Sequence, residues 1–277
     1  WKKKENRLPL LVNGARQVGK TYSLREFGRK AYESVVYINL ETNRRAAACF
    51  EEDLSPYKLL PYLEAVMGQR ILPGKTLLLL DEIQSAERAL TSLKYFAEEA
   101  PEYHIAAAGS LLGVALNRKK YSFPVGKVET LPLFPLDFEE FLWARGKESL
   151  AELIRQAYGR MEPLPAGLHQ EAIKLYREYL VIGGMPAALN AFLASGSFLE
   201  VPQVQQEILE NYTADMAKYA TPSETVKIRA CYQSLPVQLA KDNKKFQYKV
   251  VQRGGTAALF GVPIDWLCQA GIVLRCQ

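Results

Sequence analysis

Gly14, Gly19, Lys20 and Thr21 stand in the spacing G-x-x-x-x-G-K-T within the stretch GARQVGKT. These residue types at this spacing suit the enclosure of phosphate. Glycines let the backbone bend so that successive N–H groups converge on phosphate oxygens. Lys20 places a positive point charge on the β- and γ-phosphates, and the Thr21 hydroxyl completes the coordination of Mg²⁺. A helix starting near Gly19 adds its positive N-terminal end. An apolar run, LPLLV, lies directly before the motif and an amphipathic stretch directly after it, which is the context a phosphate cradle requires. A glycine-rich turn that binds nothing is the weaker reading. The nucleotide-binding stretch is therefore Gly14, Ala15, Arg16, Gln17, Val18, Gly19, Lys20 and Thr21, with Tyr22 next on the helix.

A second chemical signal lies about 60 residues further on, where TLLLLDEIQ runs four leucines into Asp81 and Glu82. Two carboxylates at the end of a buried strand are expensive unless they face a cleft and a cation. Asp81 is expected to hold Mg²⁺ through its water shell opposite Thr21, and Glu82 to act as base or positioner for an attacking water. The bland alternative is an acidic N-cap for the next helix. Ser110, in IAAAGSLLG, is expected beside the γ-phosphate, with a helix N-cap as an equal alternative. Asn39 and Glu41, at the end of YINLE, read first as ordinary polar loop residues, with a reach to Glu82 that holds it away until a partner binds as the lesser alternative.

These residues need a scaffold that brings distant strand ends together. Strand candidates are 8–12, 34–40, 76–81 and 104–109, with a weaker fifth in KVETLPL, 127–133. Their apolar runs are continuous rather than alternating, which predicts a parallel sheet covered on both faces. Helical stretches at 22–30, 57–67 and 90–100 separate them, giving a doubly wound α/β order. From about Phe138 the pattern is all helical, with Asp137 as an N-cap and Gly183-Gly184 as a stop. Beyond Pro222, a helix, a strand in KFQYKVV and a helix closed by Gly271 are expected, with Pro263 breaking or kinking the last helix. The expected domains are a P-loop core at 1–134, a helical lid at 135–221 and a winged-helix-like unit at 222–277.

Composition narrows the classes. The 277 residues are 48% hydrophobic and 23% charged, ordinary for a globular chain, and no apolar run approaches a membrane span. The four cysteines are scattered without a CxxC pair, which points away from zinc or disulfides and towards a cytoplasmic setting. With two histidines, a histidine-rich metal centre is not expected. The net charge of +5 permits nucleic acid without demanding it. The first residue is Trp1 and the last run, AGIVLRCQ, reads as a strand beginning, so the chain is expected to be a fragment.

GARQVGKT, LLLLDEIQ, AAGSLLG, FPLDFEEFL and YLVIGGMP, in this order, resemble a bacterial and archaeal group of AAA+-superfamily ATPases that usually carry a C-terminal nuclease-like domain of unknown function. The resemblance covers nearly the whole chain. It implies a P-loop NTPase fold of the AAA+/ASCE type: a five-stranded core, a helical lid and a winged-helix-like unit. It implies Walker A roles for Gly14, Gly19, Lys20 and Thr21, Walker B roles for Asp81 and Glu82, and a sensor role for Ser110. GGMPAAL is similar to the Gly-x-Pro motif of STAND ATPases, which makes Pro186 a lid contact near the base. On spacing alone, Pro186 opens a helix. The chain departs from the pattern in lacking an upstream Gly-Arg-Glu motif, and Lys127 stands where related sequences often show arginine. Arg118, Arg145 and Arg160 are arginine-finger candidates by position only. The nuclease-like domain is absent, so no cleavage activity is expected.

The leading expectation is an ATP-binding, Mg²⁺-dependent ATPase acting as a nucleotide-driven conformational switch, with ATP and ADP as ligands, no membrane, and a protein or nucleic-acid partner at the C-terminal region. A nucleic-acid-binding module regulated by ATP is the rival, resting on Lys241, Lys244, Lys245, Lys249 and Arg253 with Phe246 and Tyr248 interleaved. A GTPase lacks its Asn-Lys-x-Asp reader, and a small-molecule kinase lacks an acceptor site.

Overall fold

The computed structural model describes residues 1–110, 124–242 and 245–275. Five parallel strands form one sheet in the order β2-β3-β4-β1-β5. They are β1 (Leu10–Gly14), β2 (Ser34–Asn39), β3 (Thr76–Asp81), β4 (His104–Ser110) and β5 (Glu129–Leu133). The continuous leucine run of β3 is explained by its two covered faces. Leu78 and Leu80 join Val36, Ile38, Phe50, Leu63 and Phe96 on one side, while Leu77 and Leu79 join Leu24, Phe27 and Val12 on the other. Helix α1 (Lys20–Ala31) covers the second face; α2 (Arg44–Glu52), α3 (Pro56–Met67) and α4 (Glu87–Glu99) cover the first. The expected five-stranded parallel α/β core is thus present, β5 included.

The chain divides into two compact units, Trp1–Leu133 with Asp215–Gln277, and Phe134–Ala214. The second is helical: α5 (Phe138–Ala144), α6 (Glu148–Arg160), α7 (Ala166–Ile182), α8 (Pro186–Ser195) and most of α9 (Val201–Tyr219). Asp137 caps α5 in a capping box with Glu140. Phe141, Ile182, Leu189, Phe192 and Val201 form its core. Its boundary falls at Ala214 rather than at residue 221. The end of α9, from Asp215 on, belongs to the first unit, where Asp215 pairs with Arg16 at 2.5 Å and Lys218 with Glu41 at 2.9 Å.

The C-terminal stretch departs from the sequence expectation. It holds α10 (Pro222–Leu239), α11 (Tyr248–Val251) and α12 (Ala257–Gln269), and no strand among its described residues. KFQYKVV becomes a helical turn because a side chain does a strand's work. The buried Gln238 amide accepts from the Gln247 N–H at 3.1 Å and donates to the Gln247 carbonyl at 2.9 Å, so that backbone needs no neighbouring strand. Helix α12 runs on through the buried Pro263, and Gly271, at φ +70, follows its end. Ile272 and Val273 donate back to Leu267 instead of starting a strand.

Candidate functional site

The C-terminal ends of β1, β3 and β4 and the start of α1 gather the sequence-predicted groups. Three features shape the β1–α1 loop. Gly14 is needed for packing: a Cβ there would lie 2.2 Å from the Leu133 carbonyl oxygen of β5. Gln17 and Gly19 have φ of 66° and 97°, left-handed conformations on either side of the buried Val18. Such turns aim successive N–H groups into one concavity, an anion nest at a helix N-terminus. The two glycines therefore serve different ends, Gly14 the sheet and Gly19 the loop. Ala15 is buried, Arg16 is paired with Asp215, and Tyr22 is exposed.

Lys20 donates its Nζ to the carbonyls of Ala15 at 2.7 Å and Gly14 at 3.1 Å. Burial holds its ammonium below the usual lysine range, against the upward pull of Glu82 and Asp81. The Thr21 hydroxyl donates to Asp81 Oδ2 at 2.8 Å, joining residues from two motifs. Asp81 is 4% exposed and its oxygens are filled by donors: Tyr37 also donates to Oδ2, at 2.8 Å, and the Glu82 N–H to Oδ1 at 3.0 Å. Thr21 and Asp81 offer only hard oxygen donors, which fit Mg²⁺ and its preference for a few protein oxygens completed by water and phosphate. Among the described residues no cluster of three or more His, Cys, Asp or Glu residues forms a separate metal centre.

Glu82 has a φ of 51°, a left-handed backbone rare outside glycine and asparagine, and opens a short 3-10 turn, Ile83–Ser85. Its carboxylate accepts from the Gln84 side-chain amide. A restraint by Asn39 and Glu41 is not what the structure shows. Asn39 caps its own turn, accepting from the N–H groups of Glu41 and Thr42 at 3.0 Å, and Glu41 binds Lys218. Both are satisfied locally, so Gln84 is the partner. Ser110 ends β4 in register with Gly14, which places it beside the loop.

The remaining sequence-predicted residues belong to other elements of the chain. Pro186 is the first residue of α8 in the helical unit, and Gly184 before it is fitted against Leu136, whose carbonyl oxygen would meet a Cβ at 2.1 Å. Arg145 is committed within that unit, bound to Glu178 at 2.7 Å and set 5.0 Å from the centre of the Phe192 ring. Arg160 is exposed on the last turn of α6, Lys127 pairs with Glu98 at 3.0 Å, and Arg118 and Lys244 lie outside the described residues. Lys245, Lys249 and Arg253 are exposed around α11, but the Phe246 and Tyr248 rings pack edge-to-face on each other, 5.3 Å apart.

Two site residues were missed in the sequence. Gln84 carried a faint signal, an amide two places after the predicted base. Tyr37 carried none: in sequence it is an ordinary strand aromatic, and only the pairing of Tyr37 with Leu79 and of Asn39 with Asp81 brings it to the carboxylate.

Residues 6–142 match a family model described as AAA domain, and residues 173–277 one described as Domain of unknown function (DUF8612). The first part of the chain is thus similar to AAA domains. Comparison with curated proteins finds no match. Among solved structures, the Aeropyrum pernix ORC2 protein in its ADPNP-ADP complexes is similar at a TM-score of 0.44 and 12% identity, over 97% of this chain and 81% of that one. Its ADP form gives 0.39 and 14%, over 96% and 81%. Among the described residues, no helix is long and apolar enough to cross a membrane.

Proposed function

We propose that this chain binds ATP with Mg²⁺ in the β1–α1 loop and hydrolyses it, and that hydrolysis works as a conformational switch. The observation that carries the reading is the 2.8 Å bond between Thr21 and Asp81, 60 residues apart, beneath a loop with two left-handed residues. In this reading, the N–H groups around Gly19 and the Lys20 ammonium hold the β- and γ-phosphates, and Thr21 and Asp81 hold the cation. Mg²⁺, when bound, supplies neutralising charge at the phosphates. Glu82, once released by Gln84, accepts the proton of the attacking water, and Ser110 hydrogen-bonds the γ-phosphate. A nucleic-acid role at α11 has less behind it, since its two aromatics are spent on each other.

The test is nucleotide binding by calorimetry and phosphate release. Lys20→Ala is expected to weaken ATP binding by at least about 100-fold, the loss of a charged contact to phosphate together with its pre-positioned partners. Glu82→Gln is expected to keep binding and lose turnover. Turnover that survives unchanged in both variants sinks the reading.

A further inference from the structure

Tyr37 plays no part in the phosphate chemistry above, yet it touches the carboxylate on which that chemistry turns. Its strand neighbours Val36 and Ile38 are fully buried in the cluster opposite α1, whereas Tyr37 packs with the cluster on the α1 side, where Thr21 and Asp81 meet. Asp81 Oδ2 therefore receives two hydroxyl donors, Thr21 and Tyr37, each at 2.8 Å. One donor on an oxygen leaves the carboxylate free to turn about its terminal torsion, which is broad for aspartate. Two donors on Oδ2, with the Glu82 N–H on Oδ1, fix its plane. The ring is itself braced, because the Arg25 guanidinium lies 4.8 Å from its centre.

We propose that Tyr37 is a positioning residue for the divalent cation: its hydroxyl sets the Asp81 carboxylate at the angle from which it and Thr21 serve the metal. The role rests on the nucleotide reading above. Partners standing behind a metal ligand act in this way elsewhere, by orienting what the metal sees.

The decisive measurement is the affinity of Mn²⁺ for the ADP-loaded protein, followed by the loss of the free-ion electron paramagnetic resonance signal. Tyr37→Phe keeps the ring and its packing and removes only the hydroxyl. It is expected to weaken Mn²⁺ binding roughly tenfold, while ADP binding in EDTA and the melting temperature stay at wild-type values. Arg25→Gln is expected to shift Mn²⁺ affinity the same way by a smaller factor. Mn²⁺ affinity equal to wild type in Tyr37→Phe overturns the proposal, as does an equal loss of ADP affinity in EDTA, which would make Tyr37 a support of the loop rather than of the metal. Failure of the underlying reading looks different: the wild-type protein then binds no ADP with or without metal, and the role of Tyr37 falls with it.

Discussion

The two ends of the parallel sheet are built from similar parts and treat charge in opposite ways. At the C-terminal end, the Tyr37 hydroxyl meets an aspartate at 2.8 Å; at the N-terminal end, the Tyr32 hydroxyl meets His104 Nδ1 at the same distance. The first pair belongs to a cluster of Lys20, Asp81 and Glu82, in which the two carboxylates work against the effect of burial on the Lys20 ammonium. The second is packed against Trp1 and Phe27, and the imidazole is pushed down to about 4, chiefly by burial and further by Arg7 and Lys2. Burial alone drives a group to its neutral form; only an array of donors lets a buried group stay ionised. A sheet end where such donors have been assembled is one where charge has a use.

If that contrast is right, lesions at the C-terminal end disturb nucleotide binding, and lesions at the N-terminal end disturb stability alone. The largest effect is expected for Gly14→Ala, whose Cβ would collide with backbone of β5. A loss of about 3 kcal/mol is expected in urea unfolding, together with weakened ATP binding, because the loop must shift with the strand. A Gly14→Ala protein that binds ATP as tightly as wild type would break the contrast.

Acid is expected to act at the other end. The folded His104 stays neutral to about 4, below its unfolded value near 6.5. Its contribution is therefore complete above about pH 6.5 and is lost as pH falls towards 4, by about 2 kcal/mol. Unfolding measured at pH 7 and 4.5 should show a smaller difference in His104→Gln than in wild type, and an equal difference refutes the assignment. The smallest effect concerns Thr76, whose hydroxyl bonds Ser34 at 2.8 Å and the Leu72 N–H at 3.1 Å. Thr76→Val is expected to lose about 1 kcal/mol of stability and to leave ATP affinity untouched. A change in affinity there would mean that the two ends are coupled.

The sequence exposed one end far better than the other. Gly14 to Thr21 and Asp81-Glu82 are legible because phosphate chemistry demands fixed residue types at fixed spacing. Strands β1 to β4 are legible because the two-sided burial of Leu77 to Leu80 leaves an unbroken apolar run. Helix α2 was missed although Asn43 caps it through the Ala46 N–H, since RRAAACFEE follows a strand end without an obvious turn. The strand expected around Tyr248 failed because its aromatic and β-branched residues are served by Gln238, a partner nine positions away that no local pattern announces. Tyr37 and His104 were invisible for the same reason: their roles come from register and burial, not from type.

The division of the chain also bears on the order in which it can be made. The helical unit, Phe134–Ala214, is continuous, whereas the unit holding the nucleotide loop is interrupted by it and resumes only at Asp215. During synthesis from the N-terminus, the sheet can form early, but Asp215 and Lys218, the partners of Arg16 and Glu41, emerge only after the whole insert. Of the two units, the one that starts earlier is the one that must wait for the other to be made.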